Sequence, residues 1–557
     1  MSNNTVKIIC ENNSSVLHVA KGSSLLDVLS ILSLKNDNPF LAAYVNNKLK
    51  ELTFDIYEPV SIRYIDITHF EGMRVYQRTL FFTLNKAVYD VFPGKKLKIK
   101  HAVSKGFYAE VEGMDRLTQE DIDALKERMN VLIEQDIPIV RERVLSSEAA
   151  DLYTRMGFTD KLALLDSRPH LYSTVYHLAD MVGYMFGALA VSTGCLKVYD
   201  LRRYFNGIYI AVPKRTEPSE LEPMVHQDKM FDIFNEYKDW VDIIDVSNIG
   251  SLNRKILDGS SSELIKIAEA FHEKKLASIA DMILGAHSKR GAKLVLISGP
   301  SSSGKTTFAK RLGIQLRIFG LKPVLVSLDD YFVERDKTPL DENGEYDYES
   351  LYALDLDTFN EHLTTLFNGG TVDVPRYDFI TGKREFHDTP LQLDERSVLV
   401  IEGIHGLNPE LTKEIDDRYI FKIYISALTS ISLDNLSRIA TTDNRMLRRI
   451  VRDYNTRGSD ALATLKRWPS VRAGEDKHIF PYQENSDVMF NSSLFYEISV
   501  LRRFVEPMLH EISDNVPEYG EAQRLLKFLE NFIPIDPEEI PPTSILREFI
   551  GGSSFKY

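Results

Sequence analysis

The hydrophobic pattern changes character along the chain. From residue 1 to about 66, short apolar runs alternate with turn residues. VKIIC and SVLHVA read as two strands separated by Glu11-Asn12-Asn13-Ser14. Leu25, Leu26, Val28, Leu29 and Leu32 fall at helical spacing, so a helix is expected over 23–34. LAAYV and VSIRYI then resume strand character. In the next segment, to about 215, LKIKHAVSKGFYAEVEG predicts a β-hairpin. A long helix and its exit are expected over 118–144, with a second helix from Ser146. Residues 181–196 form the longest uncharged apolar stretch. It is short for a membrane span and holds three glycines, so it reads as a buried helix and the chain just after it.

Residues 216–290 read as a helical connector. Leu264, Ile265, Ile267, Ala268, Ala270, Phe271 and Leu276 give it an amphipathic face that packs on the next domain. The pattern then switches to continuous apolar runs: LVLISG from 294, VLVSLDDYF over 324–332 and SVLVIEG over 397–403. Such runs suit parallel strands buried on both faces. DVMFN completes the sheet and a helix follows. A further helix is expected over 522–532, and ILREFIGGSS either tucks back onto the domain or forms an interface. Gly551-Gly552-Ser553-Ser554 reads as a loose tip.

Composition narrows the class. A chain of 557 residues suggests three or four domains. With 43% hydrophobic and 27% charged residues it is an ordinary globular chain, not a disordered or collagen-like one. A net charge of −14 argues against a general polyanion binder, while leaving room for a local basic pocket. The two cysteines, Cys10 and Cys195, lack partners at metal-ligand spacing. The start, MSNNTVKIIC, has no basic segment followed by an apolar one, so a cytoplasmic protein is expected.

The strongest chemical signal comes right after the first buried run. Gly299-Pro300-Ser301-Ser302-Ser303-Gly304-Lys305-Thr306 is G-x-x-x-x-G-K-T, set between a strand and a helix. The glycines let backbone N–H groups turn toward phosphate oxygens, and the helix N-terminus adds its dipole. Gly299, Ser301, Ser302, Ser303, Gly304, Lys305, Thr306 and Thr307 are therefore the candidate ATP-phosphate set. Lys305 reaches the terminal phosphates, and the Thr306 hydroxyl is a candidate Mg²⁺ ligand. The second run ends in Asp329 and Asp330, at the ligand-binding edge of such a sheet, where a carboxylate could accept a proton from an attacking hydroxyl. The third run ends in Glu402, placed for an acidic role beside Mg²⁺. Farther on, Arg445, Arg448, Arg449 and Arg452 recur at helical spacing and can clamp phosphates, with Arg457 adding charge.

In order, GPSSSGKTT, SLDDYF, EYDYESLYALD, VPRYDFITGKRE, VLVIEGIHGL and RRIVRDYNTRGSD span about 200 residues and resemble the uridine kinase and phosphoribulokinase family. The resemblance implies an ATP- and Mg²⁺-dependent kinase acting on a small-molecule hydroxyl, typically the 5′-hydroxyl of a ribonucleoside. It makes Asp329 the general base and puts Asp347 on the ribose hydroxyls and Tyr377 beside the base. Glu402 joins the Mg²⁺ site, and Arg448, Arg449 and Arg452 join the phosphate lid. Two departures bear on specificity. Gly382 stands about where the family has a pyrimidine-recognising histidine, which leaves a roomier site open to a purine nucleoside. A glutamine common after the Arg-Gly-x-Asp block is replaced near Arg467-Trp468.

Residues 1–66 resemble the β-grasp TGS domain, through Gly22-Ser23-Ser24 and Ala42-Ala43-Tyr44-Val45-Asn46-Asn47-Lys48. Residues 67–215 resemble the accessory domain that comes after TGS in threonyl-tRNA synthetases. That domain's His-x-x-x-His motif is missing from residues 76–82, so neither metal binding nor deacylase chemistry is expected there. The expected fold class is α/β: a P-loop NTPase-type parallel sheet domain over 291–495, after the β-grasp and α+β domains and the connector. A helical extension, 496–557, ends it. The resemblance leaves open an RNA or nucleotide contact through the N-terminal domains, and assembly into a homo-oligomer.

Overall fold

A computed structural model describes residues 4–168, 170–340, 344, 346–378, 381–386 and 390–556. Its centre is a five-stranded, all-parallel sheet in the C-terminal half. The strands are β1 (Leu294–Ser298), β2 (Lys322–Ser327), β3 (Ser397–Glu402), β4 (Ile420–Ser426) and β5 (Val488–Asn491), in the order β2-β3-β1-β4-β5. The central strands bury both faces. Val295, Ile297, Val398 and Val400 enter one apolar core, and Leu294, Leu296, Leu399 and Ile401 enter the other. This two-sided burial explains why these segments read as unbroken apolar runs.

Helices cover the sheet. We label α1 (Ser261–Arg290), α2 (Lys305–Ile318), α3 (Thr441–Arg457), α4 (Ala461–His478), α5 (Glu497–His510) and α6 (Tyr519–Leu529). Leu264, Ile265, Ala268 and Leu276 of α1 share a core with Phe308 and Leu312 of α2, so the amphipathic face of the connector does pack on this domain. Right after β1 the chain turns through the G-x-x-x-x-G-K-T segment into α2. The segment therefore lies at the C-terminal edge of the sheet, where ligands bind in open parallel sheets.

The N-terminal region begins with a five-stranded mixed sheet. Its strand order is Ser15–Ala20, Thr5–Cys10, Val60–Ile65, Ala42–Val45, Lys48–Glu51, with the helix Leu25–Leu32 on it. The helix Phe70–Val91 comes next, and then a four-stranded antiparallel sheet that includes the hairpin Lys96–Val103 and Gly106–Glu112. Residues 118–144 divide into a helix, Gln119–Glu134, and a strand, Ile139–Leu145. The stretch 181–196 is not a buried helix. It is a short strand, Met181–Gly183, then irregular chain ending in a 3₁₀ turn, Thr193–Cys195. Gly187 at φ +107° holds a conformation that no helix allows, so burial came without helical geometry. Among the described residues no helix is long and apolar enough to cross a membrane.

The helical extension ties the two halves together. Arg524 of α6 donates to Asp443 at 2.8 and 2.9 Å and to Glu521 at 2.7 and 2.8 Å. Arg74, on the helix Phe70–Val91, joins the same acids and Glu71. Burial alone would weaken such charges. Instead, the opposite charges hold Glu521 down to about 2 and hold Arg524 well above its usual range. Removing one partner of such a network costs about 3–5 kcal/mol. Arg524→Ala is therefore expected to lower the unfolding free energy by an amount of that order and with it the urea midpoint, whereas Arg503→Ala, whose ion pair is exposed, is expected to change the midpoint little. Equal midpoints for the two variants would contradict this account.

Candidate active site

The phosphate loop is held from outside by its carbonyls. Arg445 Nε donates to the Ser301 carbonyl at 2.9 Å, Arg448 Nη1 to the Ser302 carbonyl at 3.3 Å and Ser492 Oγ to the Ser303 carbonyl at 2.5 Å. Arg449 Nη1 donates to Ser301 Oγ at 2.8 Å. At Gly299 a Cβ would fall 2.0 Å from the Ile425 carbonyl, so only glycine lets the loop lie against β4. Gly304, at φ +83°, is the N-cap of α2. The Ser301 N–H pairs with Glu475 and the Ser303 N–H with the Pro300 carbonyl, so with these carbonyls engaged the inner face of the loop draws on the other backbone N–H groups.

Lys305, Thr306, Asp329 and Glu402 converge at this edge. Lys305 Nζ donates to the carbonyls of Gly299 at 2.9 Å and Pro300 at 3.2 Å. Thr306 Oγ1 donates to Glu402 Oε1 at 3.0 Å, and Ser327 Oγ approaches the same oxygen at 3.4 Å. Ser327 Oγ also accepts from the Asp329 N–H at 3.3 Å, fixing the turn after β2. The two aspartates separate: Asp329 faces Lys305 electrostatically, while Asp330 Oδ1 accepts from the Tyr377 N–H at 3.4 Å. Arg384 braces the turn by donating to the Tyr331 and Phe332 carbonyls at 2.9 and 2.7 Å.

Burial dominates the electrostatics here. It raises Asp329, against the pull of Lys305, Arg457 and Arg452. It pushes Glu402 up to about 7, helped by the negative charge of Asp329 and opposed by Lys305. Burial also lowers Lys305, while Glu402 and Asp329 hold it up. Glu349 is raised as well, by burial, against Arg449 and Lys305. The sequence did not single out Glu349; its side chain lies against Gly474 of α4.

The remaining candidates differ in placement. Arg448 is turned into the protein interior behind the loop. It is fully buried, with Nη2 donating to Glu497 Oε2 at 2.5 Å and to the Ser492 carbonyl at 2.8 Å. Arg449 and Arg452 both pair with Asp453, at 3.1 and 2.8 Å. Helical spacing put the arginines on shared faces but could not tell latch from lid. Asp347 Oδ1 caps its own turn, accepting from the Glu349 N–H at 3.1 Å, and its carboxylate lies 3.9 Å from His478 Nε2. Tyr377 is buried, its ring centre 5.6 Å from that of Phe332. Gly382, at φ +71°, opens no extra room: a Cβ there would meet Arg335 Nε at 2.8 Å. Phe379 and Ile380 of the same block lie outside the described residues.

The donor set suits a hard cation. Thr306 and Glu402 offer oxygen ligands, and Glu402 is a half-buried carboxylate that enters no ion pair among the described residues. Among the described residues no group of three or more His, Cys, Asp or Glu is placed to hold a metal ion. Mg²⁺ does not need one, because it is commonly held by one or two carboxylates together with nucleotide phosphates.

Comparison with known proteins adds the lineage. The pattern of the Phosphoribulokinase / Uridine kinase family matches residues 294–498, from β1 to the start of α5. The C-terminal part of the chain carries a Phosphoribulokinase / Uridine kinase family domain. A uridine kinase of Staphylococcus aureus is 28% identical over 201 residues, which is 36% of this chain and 87% of that enzyme. A threonine–tRNA ligase of Rubrobacter xylanophilus is 27% identical over 186 residues, 33% of this chain. The similarity lies in the N-terminal region, and the chain spans 29% of that ligase. A solved structure, of a possible uridine kinase from Bacillus stearothermophilus, covers 39% of this chain and 98% of its own, at 21% identity and a TM-score of 0.27.

The raised carboxylate gives this kinase-family domain a pH signature. A folded-state value above the unfolded one favours the protonated form. The stability contributed by Glu402 is thus present below about 4.5 and lost as pH rises to about 7. Glu402→Gln is expected to gain on the wild type between about pH 5 and pH 8, by on the order of 3 kcal/mol. Denaturation curves across that range check it; a pH-independent difference would contradict the assigned burial.

Proposed function

We propose that the chain is an ATP-dependent kinase that transfers the γ-phosphoryl group to the hydroxyl of a small molecule, with the 5′-hydroxyl of a ribonucleoside as the preferred acceptor. The observation that carries the reading is the meeting of Lys305, Thr306, Asp329 and Glu402 at one edge of the parallel sheet. A phosphate loop supplies N–H donors, a lysine supplies a compact cation, and an adjacent strand end supplies a base. Asp329 accepts the proton of the attacking hydroxyl. Its raised affinity for protons, a result of burial, suits that role. Lys305 offsets charge on the terminal phosphates, and Arg452 and Arg457 add positive field at the same place. Thr306 and Glu402 would hold Mg²⁺, which supplies charge neutralisation when bound.

Uridine or cytidine is the first acceptor class to test, because the relative of Staphylococcus aureus is a uridine kinase. Gly382 lacks a side chain for base recognition, and Arg335 fills the adjacent space with a guanidinium. Recognition at that end therefore favours acceptors that offer hydrogen-bond acceptors, such as a pyrimidine or purine carbonyl or a sugar phosphate. ATP consumption with Mg²⁺ should be measured against uridine, cytidine, adenosine, guanosine, inosine and ribulose 5-phosphate. The expected result is turnover with one class, reduced at least about a hundredfold by Lys305→Ala. Turnover that survives Lys305→Ala unchanged would contradict the proposal.

A specific feature favours a second role for the N-terminal half, contact with a nucleotide or RNA end. A cavity of about 420 Å³ lies against α6, lined by Arg141, Arg143, Lys161, Arg168 and Lys527. Glu530 is the single carboxylate among its described lining residues. Lys161 pairs with Asp434 and Arg168 with Glu530, but Arg143 and Lys527 enter no ion pair among the described residues. The buried Tyr153 hydroxyl in its wall has no hydrogen-bond partner among the described residues. Replacing Arg143 and Lys527 together by alanine is expected to weaken binding of a fluorescent nucleotide at this cavity at least about tenfold. Unchanged affinity would set this role aside.

A further inference from the structure

Residues 537–556 return to the kinase-family domain as a strap. Arg547 Nη2 donates to the carbonyls of Pro537 and Ile540, each at 2.8 Å, and so closes the strap on itself. Ile545, Leu546 and Phe549 are buried in the same apolar core as Phe308 and Leu312 of α2. Asn455 Nδ2 of α3 donates to the Phe549 carbonyl at 3.0 Å, and the Arg448 guanidinium lies 5.0 Å from the Phe549 ring centre. Lys310 Nζ of α2 reaches the Lys556 carbonyl.

Two side chains of the strap land on the phosphate loop and its helix. Glu548 Oε2 accepts from the Thr307 backbone N–H at 3.2 Å and from Thr307 Oγ1 at 2.6 Å. Ile545 lies so close to Gly304 that a Cβ there would fall 2.5 Å from its Cγ2. The N–H of Thr307 belongs to the first turn of α2, where an anion is bound best by both hydrogen bonding and the helix dipole. The Ser301 N–H is taken in the same way, by Glu475 Oε1 at 3.1 Å. Carboxylates of the chain itself thus sit on donors of the anion cradle.

We propose that the C-terminal strap is an internal competitor for nucleotide. Glu548 occupies the Thr307 donors that a nucleotide phosphate takes, so the chain binds ATP weakly until Glu548 is displaced. The proposal rests on the nucleotide-binding reading of the loop. Two anions cannot share one pair of donors, and the charge of Glu548 repels a phosphate arriving beside it. Apparent affinity falls by the fraction of molecules in which the donors are free. Buried Ile545, Leu546 and Phe549 keep that fraction small, because they anchor the segment that carries Glu548.

Glu548→Gln keeps an oxygen that accepts from Thr307 but removes the charge. The test is calorimetric titration of full-length wild type and Glu548→Gln with ATP and Mg²⁺, together with amide hydrogen exchange at 545–551 in the wild type with and without ATP. Glu548→Gln is expected to bind roughly tenfold or more tightly than the wild type. In the wild type, ATP is expected to speed exchange at Phe549, Ile550 and Gly551. Equal or weaker binding by a folded Glu548→Gln overturns the strap proposal and leaves the nucleotide reading standing. If the variant does not fold, the wild-type exchange decides, and unchanged or slower exchange overturns the proposal. Failure of both proteins to bind ATP overturns the nucleotide reading, and the strap's role with it.

Discussion

The candidate site depends on one electrostatic constraint: several carboxylates must share a half-buried sheet edge with one lysine. Asp329, Glu402 and Glu349 each lose hydration there, and each is raised by that loss. Lys305 faces all three and is lowered in turn by burial. Arg449, Arg452 and Arg457 add positive charge from α3. The arrangement suits a site where an incoming ligand brings a cation and accepts hydrogen bonds, since burial strengthens every charge that enters.

That edge holds its shape because the arginines of α3 work from behind. Arg445 and Arg448 bond loop carbonyls, and Arg448 is locked to Glu497. Such buried pairs contribute little net stability, but breaking one is costly, so they fix the loop in one conformation. Arg449 bonds the Ser301 hydroxyl, and Arg452 and Arg457 extend positive field toward Asp329. One helix thus serves two purposes: its buried arginines shape the loop, and Arg452 and Arg457 act on Asp329 through their charge. The network of Arg74, Arg524, Asp443 and Glu521 links the first turn of this helix to the N-terminal half.

Much of this was legible in the sequence where local rules dominate. The apolar runs at 294–298 and 397–402 lie in neighbouring central strands because two-sided burial demands such runs, while 324–327 forms the half-exposed edge strand beside them. Lys305, Thr306, Asp329 and Glu402 could be placed because strand ends in a parallel sheet share one edge. Features that depend on tertiary contact were not legible. Burial of 181–196 suggested a helix, but Gly187 and its neighbours turn the chain instead. Gly382 suggested an open pocket, but Arg335, distant in sequence, fills the space. Helical spacing could not separate Arg448 from Arg452, because the partner that buries Arg448, Glu497, lies 49 residues away on α5, whereas Arg452 pairs with its neighbour Asp453. Nothing in ILREFIGGSS marked Glu548 as a partner of Thr307, since that contact spans 241 residues.

The central claim is that Asp329, held at the sheet edge opposite Lys305, is the base of a phosphoryl transfer. The most direct measurement is kcat and KM for ATP in Asp329→Asn, using whichever acceptor the wild type turns over. A general base contributes about 10²–10⁴-fold. The account predicts a fall in kcat within that range, with KM for ATP changed by less than about threefold. A variant that keeps wild-type kcat would contradict the account.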